Sequence, residues 1–286
     1  MVKIIDGKLV SSVVRKQITD DTTSFIKEFG VVPGLAVIIV GEDSASKVYV
    51  RNKHKACLEV GFNSFQIELA ESTQEDDLLK IIDKLNNDNT VHGILVQLPL
   101  PKHISEKKVI ERISPIKDVD AFHPTNVGKI MIGDYSFLPC TPAGVIELLD
   151  YYKIDICSKK CVVLGRSNIV GKPMAMLLMQ RNGTVTICHS KTNDIESICK
   201  EADIIVCAIG KCEFLKANMI KPGAVVIDVG INRDSNGKLC GDVKFDEAKE
   251  VASMITPVPG GVGPMTITML MKNTLMAAKI QTEERK

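Results

Sequence analysis

The sequence predicts an α/β protein built on parallel sheets and divided into two domains. Short apolar runs alternate with helix-period segments along most of the chain. Several of those runs are apolar throughout, as expected when helices cover both faces of a parallel strand. At roughly 100–200 residues per domain, 286 residues suggest two.

The candidate strands are 35–41, 93–98, 161–164, 184–188, 204–208, 225–229 and 254–255. Helical segments fall between them, the order that right-handed crossovers require. Ser72-Thr-Gln-Glu75 reads as a capping box opening a helix to about residue 85. Thr141-Pro142 supplies an N-cap followed by proline at the first helical position, opening a helix to about residue 152. Residues 265–279 form a last helix with Ile267, Leu270, Met271, Thr274, Leu275 and Ala278 on one side. The sequence does not choose which domain that helix packs on. A domain boundary is expected near Leu138-Pro-Cys-Thr141, and the second domain runs from 140 to the Pro/Gly-rich stretch ending at Pro264.

Composition narrows the class. A net charge of +1, with 25% charged residues, gives no general pull toward nucleic acid or a membrane surface. No uncharged apolar run approaches the roughly 18–20 residues needed to span a bilayer. The opening Met1-Val-Lys-Ile-Ile-Asp-Gly-Lys8 is too polar for a secretory leader. A cytosolic protein is expected. The nine cysteines include no Cys-x-x-Cys pair, and the five histidines lack zinc-type spacing. All nine are therefore expected to be reduced thiols, with no metal.

Two segments point to chemistry. Cys161-Val-Val-Leu-Gly165-Arg-Ser-Asn-Ile-Val-Gly171 is ordered as strand, glycine turn and helix start. A phosphate-binding turn needs that order, for close backbone approach and a helix N-terminus facing the anion. Its spacing departs from Gly-x-Gly-x-x-Gly, because Ser167 takes the second position and the next glycine comes one residue late. Alone, it is also compatible with a structural turn. The following strand ends in His189-Ser190-Lys191-Thr192, where an NAD site would place a carboxylate for the ribose 2′-hydroxyl. Hydroxyl and cationic groups accept a 2′-phosphate, and Arg166 adds a bidentate donor, so the pattern favours NADP over NAD. Later strands end in Ala208-Ile-Gly210 and Val229-Gly-Ile231-Asn232, small residues suited to a nicotinamide lying close to the backbone.

The second segment is the helix after Gly41-Glu-Asp-Ser44, expected to reach about Val60 and to end at Gly61. Ala45, Tyr49, Ala56, Cys57 and Val60 share an apolar face, and Lys53 lies among them one turn after Tyr49. Such a lysine snorkels, pairs, or has a lowered pKa that suits it to proton transfer. Gln97, at the end of an apolar run, and Asp118-Val-Asp120, in a loop, are companion candidates.

Together, Tyr49-Val-Arg-Asn-Lys53, Val96-Gln-Leu-Pro-Leu-Pro101, Lys117-Asp-Val-Asp120, the Gly165–Pro173 turn and Pro257-Val-Pro-Gly-Gly-Val-Gly-Pro-Met-Thr266 resemble the bifunctional methylenetetrahydrofolate dehydrogenase/cyclohydrolase family. The motifs cover essentially the whole chain in the family's order. The resemblance implies an N-terminal three-layer α/β catalytic domain that binds folate (residues 1–139), completed by the C-terminal helix (265–286). A Rossmann-type NADP-binding domain (140–264) follows, with the active-site cleft between the two. It implies NADP-linked oxidation of 5,10-methylenetetrahydrofolate and hydrolysis of the methenyl product to 10-formyltetrahydrofolate. Lys53, Gln97, Tyr49 and Asp120 would be catalytic. Tyr49, Lys53, Val96, Gln97, Leu98, Asp120, Pro259, Gly260, Gly261, Val262 and Gly263 would bind substrate. Gly165, Arg166, Ser167, Ser190 and Ile231 would contact the cofactor. A cytoplasmic homodimer joined through the nucleotide-binding domains, with no metal, nucleic acid or membrane, is also implied.

Overall fold

The structure, a computed structural model, describes residues 2–234 and 237–284. The chain falls into two compact units. One holds residues 13–140 and 267–286; the other holds 1–12 and 141–266. The chain opens with β1 (Lys3–Ile4) and α1 (Gly7–Phe29). β1 pairs in parallel with the last strand of the second unit. Residues 1–12 therefore belong to the same compact unit as residues 141–266. Two residues of strand are too short to give a period, so nothing local reveals the pairing.

The first unit continues with β2 (Gly34–Val40), α2 (Ser44–Glu59), β3 (Asn63–Leu69), α3 (Glu75–Asn87), β4 (Gly93–Val96), α4 (Glu106–Arg112) and α5 (Pro124–Ile132). Its parallel sheet has the order β3-β2-β4. The central strand, Gly-Leu-Ala-Val-Ile-Ile-Val, is buried at every position, which explains its unbroken apolar run. Ala36, Ile38 and Val40 pack with Leu78, Ile82 and Leu85 of α3 and with Val109 and Ile113. The edge strand β3 mixes Asn63, Gln66 and Glu68 with apolar residues and so escapes the apolar-run criterion.

The capping box expected at Ser72–Glu75 does not form. Gln74 is the N-cap of α3 and makes no side-chain capping bond. The Glu75 carboxylate instead accepts from the Ser105 N–H (2.7 Å) and the Lys108 ammonium (2.6 Å). That ties α3 to the start of α4, a non-local use that the local motif does not register.

The second unit contains α6 (Cys140–Tyr151), β5 (Lys160–Leu164), α7 (Gly171–Gln180), β6 (Thr184–Cys188), α8 (Ile195–Lys200), β7 (Ile204–Cys207), β8 (Val225–Asp228), β9 (Asn232–Arg233), β10 (Leu239–Cys240), α9 (Phe245–Ala248) and β11 (Met254–Ile255). The six-stranded sheet runs β1-β11-β8-β7-β5-β6, with every pairing parallel. β9 and β10 form a separate antiparallel ribbon. α6 already includes Cys140, and the Thr141 hydroxyl is hydrogen-bonded to Thr266 Oγ1 (3.0 Å), so Thr141 does not act as the N-cap.

α10 (Val262–Glu283) begins in the second unit and from Ile267 belongs to the first. There the Asn273 amide donates to the Val119 and Leu138 carbonyls (2.8 Å each), and Gln281 donates to the His92 carbonyl (2.8 Å). Those bonds decide the packing that the sequence left open.

In one sheet β2 lies between β3 and β4, and in the other β5 lies between β6 and β7. Crossovers on opposite sides leave a crevice at the carboxyl ends of β2/β4 and of β5/β7, the place where open α/β sheets bind ligands. Cys212 and Cys240 form a disulfide, contrary to the expectation that all cysteines are reduced. They are 28 residues apart and meet only through the fold.

Candidate active site

The β2/β4 crevice of the first unit holds Lys53 and Gln97. α2 is capped by Asp43, whose carboxylate accepts from the Ser46 N–H (2.7 Å), and its last turn precedes Gly61 at φ +82°. Lys53 is 8% exposed, and Val50, Ala56, Cys57 and Val60 are buried alongside. The apolar face differs from expectation at Tyr49, which is 38% exposed; Val50 takes the buried place. The side chain of Ala45 lies outside the described residues.

The Lys53 ammonium donates to Gln97 Oε1 (2.9 Å). Gln97 in turn donates through Nε2 to the Leu98 carbonyl (2.7 Å), which fixes its oxygen toward the lysine. The Gln97 N–H donates to the Ile38 carbonyl (2.8 Å), anchoring the residue to the central strand. Burial lowers the Lys53 pKa below that of an ordinary lysine, and the Asp120 carboxylate partly opposes it. Lys53 therefore neither snorkels nor joins a direct ion pair; its buried amine has a neutral acceptor.

Asp120 sits in a loop organised from beneath. The buried Asp118 carboxylate accepts from the Phe122 N–H (3.2 Å), the His123 N–H (2.8 Å) and Asn126 Nδ2 (2.8 Å). Ala121 takes a left-handed φ of +56° between them. Burial raises the Asp120 carboxyl pKa and Lys53 lowers it. The buried Cys140 thiol donates to Asp120 Oδ1 (3.5 Å), and its own pKa is pushed well above that of an ordinary thiol, chiefly by burial. Cys140 and Asn273 complete this cluster and were not anticipated. Leu138-Pro-Cys-Thr141 was legible only as a boundary, and Asn273 is one polar residue in an apolar helix. Val96 is buried at the end of β4, beside half-buried Leu98.

In the second unit the β5/β7 crevice is closed by Gly165, at φ +122°. A Cβ there would run into the Ala208 carbonyl oxygen, so no other residue fits. The Ser167 hydroxyl accepts from the N–H groups of Val170 (3.2 Å) and Gly171 (3.3 Å), shaping the start of α7. Arg166 and Ser190 are exposed at the turns that follow β5 and β6. At the end of β6, Thr192 Oγ1 accepts from the His189 N–H (2.9 Å), and no carboxylate occupies residues 189–192. This donor-rich turn fits a dinucleotide phosphate. Ile231, 51% exposed, faces Gly263: a Cβ on that glycine would lie 3.7 Å from Ile231 Cδ1. Pro259 to Gly261 form a turn that leads into α10 at Val262, held by the Gly7 N–H, which donates to the Gly260 carbonyl (2.9 Å).

Residues 5–120 match the catalytic domain of the tetrahydrofolate dehydrogenase/cyclohydrolase family, and residues 139–282 match its NAD(P)-binding domain. The chain belongs to this family. It is similar to the bifunctional protein FolD of Acetivibrio thermocellus, 61% identical over 281 residues that cover 98% of each chain. Its fold is similar to the FolD methylenetetrahydrofolate dehydrogenase/cyclohydrolase of Campylobacter jejuni (TM-score 0.95, 48% identity, covering 98% of this chain and 99% of that one). It is also similar to the Trypanosoma brucei dehydrogenase-cyclohydrolase described as complexed with NADP cofactor and an inhibitor (TM-score 0.94, 41% identity, 98% of each chain).

Within the tetrahydrofolate dehydrogenase/cyclohydrolase frame, Tyr49, Lys53, Val96, Gln97, Leu98 and Asp120 all lie in the first unit. Gly165, Arg166, Ser167, Ser190, Ile231 and Pro259–Gly263 lie in the second. No helix among the described residues is long and apolar enough to cross a membrane. Among them no group of three or more His, Cys, Asp or Glu is placed to hold a metal ion.

Proposed function

We propose that this chain oxidises 5,10-methylenetetrahydrofolate to the methenyl cation with NADP⁺ and hydrolyses that cation to 10-formyltetrahydrofolate. The observation that carries the reading is the buried Lys53 amine, hydrogen-bonded to a neutral amide oxygen and facing the Asp120 carboxylate. A lysine held this way releases its proton more readily than one in water, which a general base requires.

In the hydrolytic step water adds to the methenyl carbon, and the neutral Lys53 amine takes one of its protons. As the bond from that carbon to N5 breaks, Lys53 returns the proton to N5, and the second water proton leaves to solvent. Gln97 Oε1 orients the amine in both protonation states, because it accepts from either. Asp120 accepts N–H groups of the pterin and biases the Lys53 proton affinity upward. Tyr49, with its exposed ring, packs on the folate, and Val96 and Leu98 line its site.

When bound, NADP⁺ supplies the acceptor for the hydride leaving the methylene carbon. Gly165, Ser167 and the start of α7 would hold its phosphates, Arg166 and Ser190 would hold the 2′-phosphate, and Ile231 would contact the nicotinamide end. Residues 13–140 with the C-terminal helix form the folate-binding catalytic part, and the second unit forms the NADP-binding part. We further propose a cytosolic homodimer joined through the nucleotide-binding units; light scattering at the mass of one chain would refute the dimer.

The function is tested with purified protein, 5,10-methylenetetrahydrofolate, and NADP⁺ or NAD⁺ in parallel. NADPH accompanied by 10-formyltetrahydrofolate, formed faster than the methenyl cation hydrolyses unaided, is expected. Methenyl product alone would remove the hydrolytic half, and no reduction with either cofactor would remove the whole reading.

A further inference from the structure

We infer that Asp242, outside every motif assigned above, is a positioning residue for the dinucleotide, holding loop 208–211 in the shape that NADP⁺ requires. The inference rests on the cofactor placement proposed above. Asp242 has no solvent exposure. Its Oδ2 accepts from the Ile209 (2.7 Å) and Gly210 (3.0 Å) N–H groups, and its Oδ1 accepts from the Lys211 N–H (2.8 Å) and Asn232 Nδ2 (2.8 Å). Three successive backbone N–H groups converging on one point make a concavity that binds an anion, and here the protein supplies that anion itself.

Peptide planarity gives this arrangement a consequence. Each trans peptide aims its carbonyl opposite to its N–H. With the N–H groups of residues 209–211 turned toward Asp242, the carbonyls of Ala208, Ile209 and Gly210 turn away from it. The Ala208 carbonyl accordingly abuts Gly165, the glycine of the phosphate turn. The next two carbonyls are thereby set as acceptors at the carboxyl end of β7, on the crevice. The bond to Asn232 ties the residue after Ile231 to the same carboxylate, so one side chain joins the loop after β7 to the start of β9.

The carboxylate is built in from below. The Asp242 N–H donates to Asp228 Oδ1 (2.9 Å), the Val243 N–H donates to Asp228 Oδ2 (2.9 Å), and the Asp228 N–H donates to Thr256 Oγ1 (2.7 Å). Gly230 and Gly241 give the two carboxyl groups their space, since a Cβ on either would run into Asp242 or Asp228. The Cys212–Cys240 disulfide joins the residue after Lys211 to the segment just before Asp242, bracing the same junction.

Hydrolysis of the methenyl cation involves no hydride, so it separates positioning from mere folding. In Asp242→Asn only one side-chain oxygen remains for four donors, and the amide N–H₂ faces the others. The full-length variant is compared with wild type in two assays: NADP⁺ kinetics of the dehydrogenase, and cofactor-free decay of 5,10-methenyltetrahydrofolate. The KM for NADP⁺ is expected to rise at least fivefold while hydrolysis stays within twofold. Parallel loss of both activities would make Asp242 a folding residue and overturn the inference. Asn232→Ala, which removes one bond and leaves the carboxylate in place, is expected to raise the NADP⁺ KM about threefold and decides the matter if the first variant does not fold. Arg166→Ala serves as the control. If it weakens NADP⁺ while neither Asp242→Asn nor Asn232→Ala does, the inference falls alone; if none of the three does, the cofactor placement falls with it.

Discussion

Replacing Asp228 with asparagine should flatten the dependence of stability on pH. Asp228 is 3% exposed, and burial raises its carboxyl pKa from 3.8 to about 7, against the opposing pull of three backbone donors. The native carboxyl thus holds its proton where the unfolded one has lost it. Its stabilising contribution is fully present below 3.8 and is lost as the pH rises through about 7. From about pH 5 to about pH 8 the wild type passes through roughly two pH units below the folded value, at about 1.4 kcal/mol each, and loses roughly 3 kcal/mol. Asparagine does not titrate and keeps that amount. It also leaves the Val243 N–H facing an amide N–H₂, a pH-independent penalty of about 1–3 kcal/mol. Urea unfolding of both proteins across this range reports on Asp228 and its coupling to Asp242, because groups that do not interact with them cancel in the difference. The variant should be less stable at the acid end and should gain on wild type by roughly 3 kcal/mol toward the alkaline end. A difference constant within about 0.5 kcal/mol would mean that the three N–H donors keep the carboxylate charged at ordinary pKa, refuting the burial argument.

Two further substitutions probe the two sites. Arg166→Ala should weaken NADP⁺ by about 1–3 kcal/mol while NAD⁺ affinity changes little, measured by calorimetry; equal weakening would remove the 2′-phosphate contact. Asp120→Asn removes the carboxylate that raises the Lys53 pKa. Because the neutral amine is the base, the rising acid limb of the hydrolysis profile should move to lower pH, with a higher KM for folate; an unmoved limb would uncouple the two residues.

Much of this was legible because the sheets are parallel and buried. β2 and β7 read as strands for the same reason that they pack: no polar side chain interrupts them. Lys53 was legible as a charge on an apolar face, and the acceptor that makes it chemical, Gln97, was legible as the end of an apolar run. The rest depends on contacts between distant residues. Glu75 looks like a cap and serves as a staple to Ser105 and Lys108. Tyr49 has the right helical phase for burial and is exposed, because phase alone does not say where a helix loses its cover. Cys140 and Asp242 have no local signature: one is a thiol in a Pro-rich boundary, the other an aspartate after a glycine. Only the folded chain brings the first to Asp120 and wraps loop 209–211 around the second.

The most direct test of the account is Lys53→Met, assayed for hydrolysis of 5,10-methenyltetrahydrofolate alongside NADP⁺ binding and thermal unfolding. Methionine keeps the apolar volume and removes the amine. The account predicts that enzymatic hydrolysis falls to the unaided rate while NADP⁺ affinity is kept and the fold is no less stable, since a desolvated amine has been removed. Hydrolysis near the wild-type rate in a folded, NADP⁺-binding variant would contradict it and remove Lys53 from the chemistry.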